Sequence, residues 1–184
     1  MEQHEAATEL TPEANPEPTM DAKDKRDKKQ PKTALMYAVD LLSRQEHSAK
    51  RLREKLGRKG YGAEETAAAI ASLQEKKYLN DEEACQNQFR RLYEESRHSV
   101  RQICFKLRQY GFDGEVISRC IPADSYEREK KAALRSLAIK FKSDSPEVKM
   151  RRNLYTKGFS AEVINDALHD FMTNGYKGEN IEPE

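Results

Sequence analysis

Histidine, cysteine and a recurring set of arginines and lysines are the residues in this 184-residue chain from which chemistry could be built. His47 and His98 each stand directly before a serine, Ser48 and Ser99. That repetition points to a structural place beside a helix cap rather than to metal ligation, while His4 and His169 have no evident partner residues. Cys85, Cys104 and Cys120 are odd in number and lack CxxC spacing, so they read as reduced thiols, mostly buried, and not as a zinc site or a disulfide framework. Carboxylates are scattered over helix surfaces, where pairing at i, i+4 explains them, and no two stand out as acid and base. GxxxxGK[ST], GxGxxG, HExxH and GxSxG are all absent, which removes the common phosphate cradles, metal sites and nucleophile elbows. The chain is expected to bind rather than catalyse and to need no cofactor.

What recurs is basic charge. Lys50, Arg51, Arg53 and Lys55 form one cluster, Arg101, Lys106 and Arg108 a second, and Lys149, Arg151 and Arg152 a third. These ten residues are the candidate partner-binding set. Residues 34–173 carry 26 bases against 21 acids, an excess suited to steering an anionic partner.

The elements that must position them repeat as well. Three segments align without a gap: LGRKGYGAEETAAAI from Leu56, LRQYGFDGEVISRCI from Leu107 and LYTKGFSAEVINDAL from Leu154. Each has leucine first, glycine fifth, an aromatic sixth, glutamate ninth and Ile or Leu last. The glycines, Gly60, Gly111 and Gly158, lie 51 and 47 residues apart. If each takes a left-handed conformation just past a helix, the leucine four places earlier meets the aromatic that follows, as in a Schellman motif. Tyr61, Phe112 and Phe159 then read as packing residues rather than base-stacking platforms. Asp113 and Ser160, with Gly62 as a weaker counterpart, are placed to cap a following helix that has Glu64, Glu115 or Glu162 in its first turn. Upstream, Leu52/Leu56, Ile103/Leu107 and Met150/Leu154 make an i, i+4 stripe on helices expected to start at caps Ser48, Ser99 and Ser145, with Pro146 in the first turn. A further helix precedes each, at 35–43, 81–95 and 126–142.

The expected fold is therefore all-α: three tandem three-helix repeats at 34–79, 80–124 and 125–173. Residues 1–33, with four prolines and a mixed-charge run, read as a disordered arm, and 174–184 as a disordered tail. No apolar run approaches the roughly 18 residues that span a bilayer, and no secretory signal stands at the N-terminus, so a cytoplasmic monomer is expected.

Over about residues 35–171 the chain resembles the RecX family of bacterial regulatory proteins. The marks are RQEHSAKRLREKLGRKGY with its Lys59-Gly60-Tyr61 end, then SLQEKKYLNDEEAC with Leu79-Asn80-Asp81-Glu82 opening the second repeat, and Lys157-Gly158-Phe159. The resemblance implies an elongated, curved array that binds the RecA recombinase on its DNA filament and modulates recombination, DNA repair and the SOS response. It departs from the family around RRLYEESRHS, where Glu94 and Glu95 dilute Arg90, Arg91 and Arg97. DNA is a weaker, secondary partner in this reading, and a directly nucleic-acid-binding helical repeat is the alternative.

Overall fold

The structure, a computed structural model, describes residues 32–174; the expected arm up to residue 31 and the tail from 175 lie outside the described residues. Nine helices form among the described residues: α1 (Ala34–Leu42), α2 (Ala49–Lys59), α3 (Ala63–Glu75), α4 (Asp81–Glu95), α5 (Val100–Gln109), α6 (Gly114–Cys120), α7 (Tyr126–Lys140), α8 (Glu147–Thr156) and α9 (Ala161–Asn174). The protein is all-helical. Helices α1–α3 surround one apolar core, α4–α6 a second and α7–α9 a third. Each helix packs chiefly on the other two of its own trio, so the trios meet through little apolar surface.

The central helices α2, α5 and α8 form because one stripe is apolar and the rest is polar. Leu52, Leu56, Ile103, Leu107, Met150 and Leu154 are all fully buried. Truncating any of them to alanine should cost about 2–5 kcal/mol. The three helices end alike. Gly60, Gly111 and Gly158 have φ of 98°, 88° and 81°, in the left-handed region. The Tyr61, Phe112 and Phe159 amides donate to the Leu56, Leu107 and Leu154 carbonyls at 3.3, 3.1 and 3.3 Å. The glycine amides donate to Gly57, Arg108 and Tyr155 at 3.0, 2.9 and 2.9 Å, completing the Schellman pair each time. Phe112 and Phe159 are buried and Tyr61 packs at the edge of the first core, its hydroxyl donating to the Lys32 carbonyl at 2.8 Å.

Four details depart from the sequence reading or from the repeat pattern. Thr33, assigned there to the arm, is the N-cap of α1 and accepts the Met36 amide; Lys32 pairs with Asp40. Ser145 does not cap α8: its hydroxyl accepts the Lys142 amide, and Pro146, with ψ of 123°, is the cap residue instead. Ile121 is not a core counterpart of Ile70 and Leu168. Pro122 forces the residue before it into an extended conformation, so α6 stops at Cys120 and Ile121 is 40% exposed. Finally, α7 ends at Lys140, two residues before its expected end.

The glycines separate strain from contact. A Cβ on Gly60 meets nothing within 4 Å, whereas one on Gly111 falls 2.7 Å from Ser48 Oγ and one on Gly158 falls 2.9 Å from Arg101 Cδ. Gly60→Ala should therefore cost about 1 kcal/mol of left-handed strain. Gly111→Ala should cost about 3 kcal/mol, because a buried hydrogen bond is disturbed as well. Equal urea midpoints for the two variants would contradict this.

Candidate partner-binding site

Two joints connect the three trios, and both use the same parts. At the first, Ser48 Oγ accepts its own helix's Arg51 amide at 3.1 Å and donates to the Tyr110 carbonyl at the end of α5, 62 residues away, at 2.6 Å. Asp81 at the start of α4 accepts the Ala49 amide at 2.8 Å. At the second, Ser99 Oγ accepts the Gln102 amide at 3.1 Å and donates to the Lys157 carbonyl at 2.6 Å, while Glu129 on α7 accepts the Val100 amide at 2.7 Å. Two of the orphan amides at each helix start and one orphan carbonyl at the next helix end are satisfied by one serine and one carboxylate. In the third trio the corresponding Ser145 is turned to a local amide, that of Lys142.

Side chains reinforce each joint. Gln88 Nε2 donates to the Glu46 carbonyl at 3.1 Å in the first. In the second, the Arg128 guanidinium lies 4.6 Å from the Tyr93 ring centroid and donates to the carbonyls of Tyr93, Ser96 and Leu92 at 2.7, 3.0 and 3.2 Å, and to that of His98.

Basic charge gathers at these joints. A cleft of 380 Å³ at the first is lined by Arg44, His47, Arg51, Lys55 and Arg91, with Glu46 as its one acid. Among the described residues none of Arg44, Arg51, Lys55 or Arg91 has an ion-pair partner. His47, 5% exposed, accepts from the Lys55 ammonium at 3.2 Å. Burial, then the charges of Lys55 and Arg51, hold its imidazole below the usual histidine range. Lys55 is lowered in turn by burial and by Arg51 and Arg58. At the second joint burial depresses His98, followed by Lys106, Arg97, Arg128 and Lys157. Its Nδ1 is buried without a partner in the structure. Burial and an excess of cations over acids thus act together at both joints, and a bound anion would offset the excess.

The ten residues expected from the sequence are thus divided. Arg51 and Lys55 enter the first joint and Lys106 the second. Arg101 is exposed, yet its stem packs against Gly158, and Lys50 Cβ stands in the equivalent place at Gly111. Lys50, Arg53, Arg108, Lys149 and Arg152 project as exposed side chains. Arg151 is occupied, donating to Glu147 at 2.7 Å and to Asn165 at 2.6 Å. Sequence reasoning left Arg44 and Arg91 out of the set, because they sit in a loop and on α4, outside the central-helix register. Among the described residues no group of three or more His, Cys, Asp or Glu is placed to hold a metal ion, and no helix is long and apolar enough to cross a membrane.

Stacked three-helix trios with polar joints define a helical repeat protein that presents basic side chains from successive trios. Known proteins give that class a family. The model of the RecX first three-helix domain matches residues 34–73. The regulatory protein RecX of Caldanaerobacter subterraneus subsp. tengcongensis is 34% identical over 143 residues, covering 75% of this chain and 70% of the relative. That of Vibrio vulnificus is 31% identical over 137 residues, covering 72% and 89%. The crystal structure of RecX from Lactobacillus salivarius has the same fold, with a TM-score of 0.63 at 20% identity over 74% of this chain and 93% of that one. The chain belongs to the RecX family of regulatory proteins.

The histidines give the site a pH dependence. Both folded-state pKa values lie below the unfolded value of about 6.5, so the unfolded chain binds more protons as pH falls below that point. Their contribution to stability is complete above about pH 6.5 and is lost as pH falls through the folded values. Urea midpoints should decline between pH 7.5 and 5.5, and the decline should be shallower in His47→Gln. An unchanged slope in that variant would show that His47 does not titrate across unfolding.

Proposed function

We propose that this chain binds the RecA recombinase in its filament on DNA and restrains its activity, without chemistry of its own, as a modulator of recombination and DNA repair. The observation that carries the reading is the unpaired basic cleft at the first joint, together with its counterpart around His98 at the second. Clusters that recur from one trio to the next suit a partner that repeats an anionic surface. Tethered weak contacts of this kind gain avidity whenever their spacing fits the partner. Membership of a family of regulatory proteins supports a role in control rather than turnover.

Direct nucleic-acid binding is the second reading. It is favoured by Phe105 and Tyr155, 60% and 74% exposed, which interleave with Arg101, Arg108 and Arg152. The two readings differ in salt dependence on bare DNA, which phosphate contacts make steep.

The test uses Arg44→Glu/Arg91→Glu, since both side chains line the cleft, are exposed and make no joint hydrogen bond to another trio. Reversing Arg51 or Arg101 would disturb the joints as well as the face. Wild-type protein should lower recombinase ATPase on single-stranded DNA. The double variant, with an unchanged circular dichroism spectrum, should need at least about tenfold more protein for the same effect, equivalent to roughly 1.4 kcal/mol or more. Failure of the wild type to alter the ATPase would contradict the proposal. A parallel tenfold loss on bare DNA would favour the second reading.

A further inference from the structure

The thiols of the middle trio have no part in the joints or the basic clefts. Cys120 Sγ lies 3.8 Å from Cys85 Sγ, with α6 and α4 packed directly on each other. The close approach has a reason in the repeat. Cys85 and Cys120 stand 51 residues after Ala34 and Ala69, the interval that separates Gly60 from Gly111, and both alanines are buried. In the third trio Ala133 and Ala167 are fully buried on the corresponding helices. The crossing of the first and third helices is thus built for small side chains, and only the middle trio puts a thiol on both sides of it.

We infer that Cys85 and Cys120 form an oxidative modification site, a reversible disulfide that staples α4 to the end of α6 when the chain meets a hydroperoxide. Cys120 is the entry point. It is half-buried at the last residue of α6, where Pro122 ends the helix, whereas Cys85 is fully enclosed. Burial, then the neighbouring Cys120, pushes the Cys85 thiol up to about 12, which keeps it from meeting peroxide first; its place beside Cys120 makes it the resolving partner.

The chemistry balances with one peroxide. The Cys120 thiolate attacks the O–O bond; that bond breaks, a sulfenic acid forms, and the departing oxygen takes a proton to leave as alcohol, or as water from hydrogen peroxide. Cys85 sulfur then attacks Cys120 sulfur. The S–S bond forms, the S–O bond breaks, and the hydroxide takes the Cys85 proton to leave as water. Two thiols have lost two electrons and one hydroperoxide has gained them. Sulfurs in a disulfide stand near 2.05 Å, so the pair has to close less than about 2 Å. The bond encloses residues 85–120 in a loop, which restricts the unfolded chain. It also fixes α4, the helix that carries Asp81, Gln88 and Arg91 into the first joint.

This inference is independent of the recombinase reading. The full chain, treated with equimolar hydrogen peroxide, should be about 2 Da lighter by intact mass, and after alkylation should carry one alkyl group, on Cys104, and yield a peptide joining Cys85 to Cys120. Its urea midpoint should rise and return after dithiothreitol. Cys104→Ala should keep the crosslink. Cys85→Ala, which installs the residue the other trios carry there, should fold with an unchanged helical spectrum, form no crosslink and leave a sulfenic acid on Cys120 that dimedone traps. Both thiols remaining alkylatable after peroxide would overturn the inference. So would a Cys104–Cys120 linkage, a covalent dimer as the main product, or a crosslink that leaves the urea midpoint unmoved.

Discussion

Each joint turns on a single hydroxyl. Ser48 Oγ takes the Arg51 amide from its own helix and gives its proton to the Tyr110 carbonyl of the next trio, so one oxygen both starts α2 and meets the end of α5. Ser99 does the same between α5 and the Lys157 carbonyl at the end of α8. The residue after each of these carbonyls is a glycine in the left-handed region; an added Cβ would fall on the Ser48 hydroxyl at the first joint and on the Arg101 stem at the second. The same glycine therefore ends a helix and makes room for the neighbouring trio. Gly60 serves only the first purpose among the described residues, where its surroundings are open.

Joints made this way differ physically from the cores they connect. The cores are held by apolar burial, with two fully buried aliphatic side chains on every central helix; the joints are held by hydrogen bonds whose geometry is directional and whose partners are few. Such a contact sets register without demanding a large apolar interface. It also places basic side chains beside one another. Arg51 and Lys55 belong to α2, Arg44 to the loop before it and Arg91 to α4, yet they line one cleft because Ser48 and Asp81 bring those elements together. Burial at the joints depresses the titration of His47 and His98, and the gathered cations add to it.

The sequence made the trios legible because their determinants are local. Leucine stripes, left-handed glycines and following caps fall within about fifteen residues of one another, and Leu56-x-x-x-Gly60-Tyr61 with its two counterparts carries the whole motif. The joints were not legible, since Ser48 and Ser99 reach partners 62 and 58 residues away and a cap signal does not say what its hydroxyl donates to. Arg44 and Arg91 escaped for the same reason. Their significance lies in meeting across a joint, not in a position along one helix. Ser145 was misjudged because a local turn takes its hydroxyl, and at Ile121, which shares the repeat position of Ile70 and Leu168, the following proline overrides the pattern.

Ser48 and Gly111 are two sides of one contact. A double-mutant cycle on urea unfolding tests it directly, with Ser48→Ala, Gly111→Ala and the two combined. Once Oγ is gone, the Cβ added at position 111 has lost the atom it met at 2.7 Å, so the second substitution should cost roughly 1–2 kcal/mol less in the Ser48→Ala background than in the wild type. Penalties that add to within about 0.5 kcal/mol would mean that the serine and the glycine act separately, and that the trios are held in register by something other than this hydroxyl.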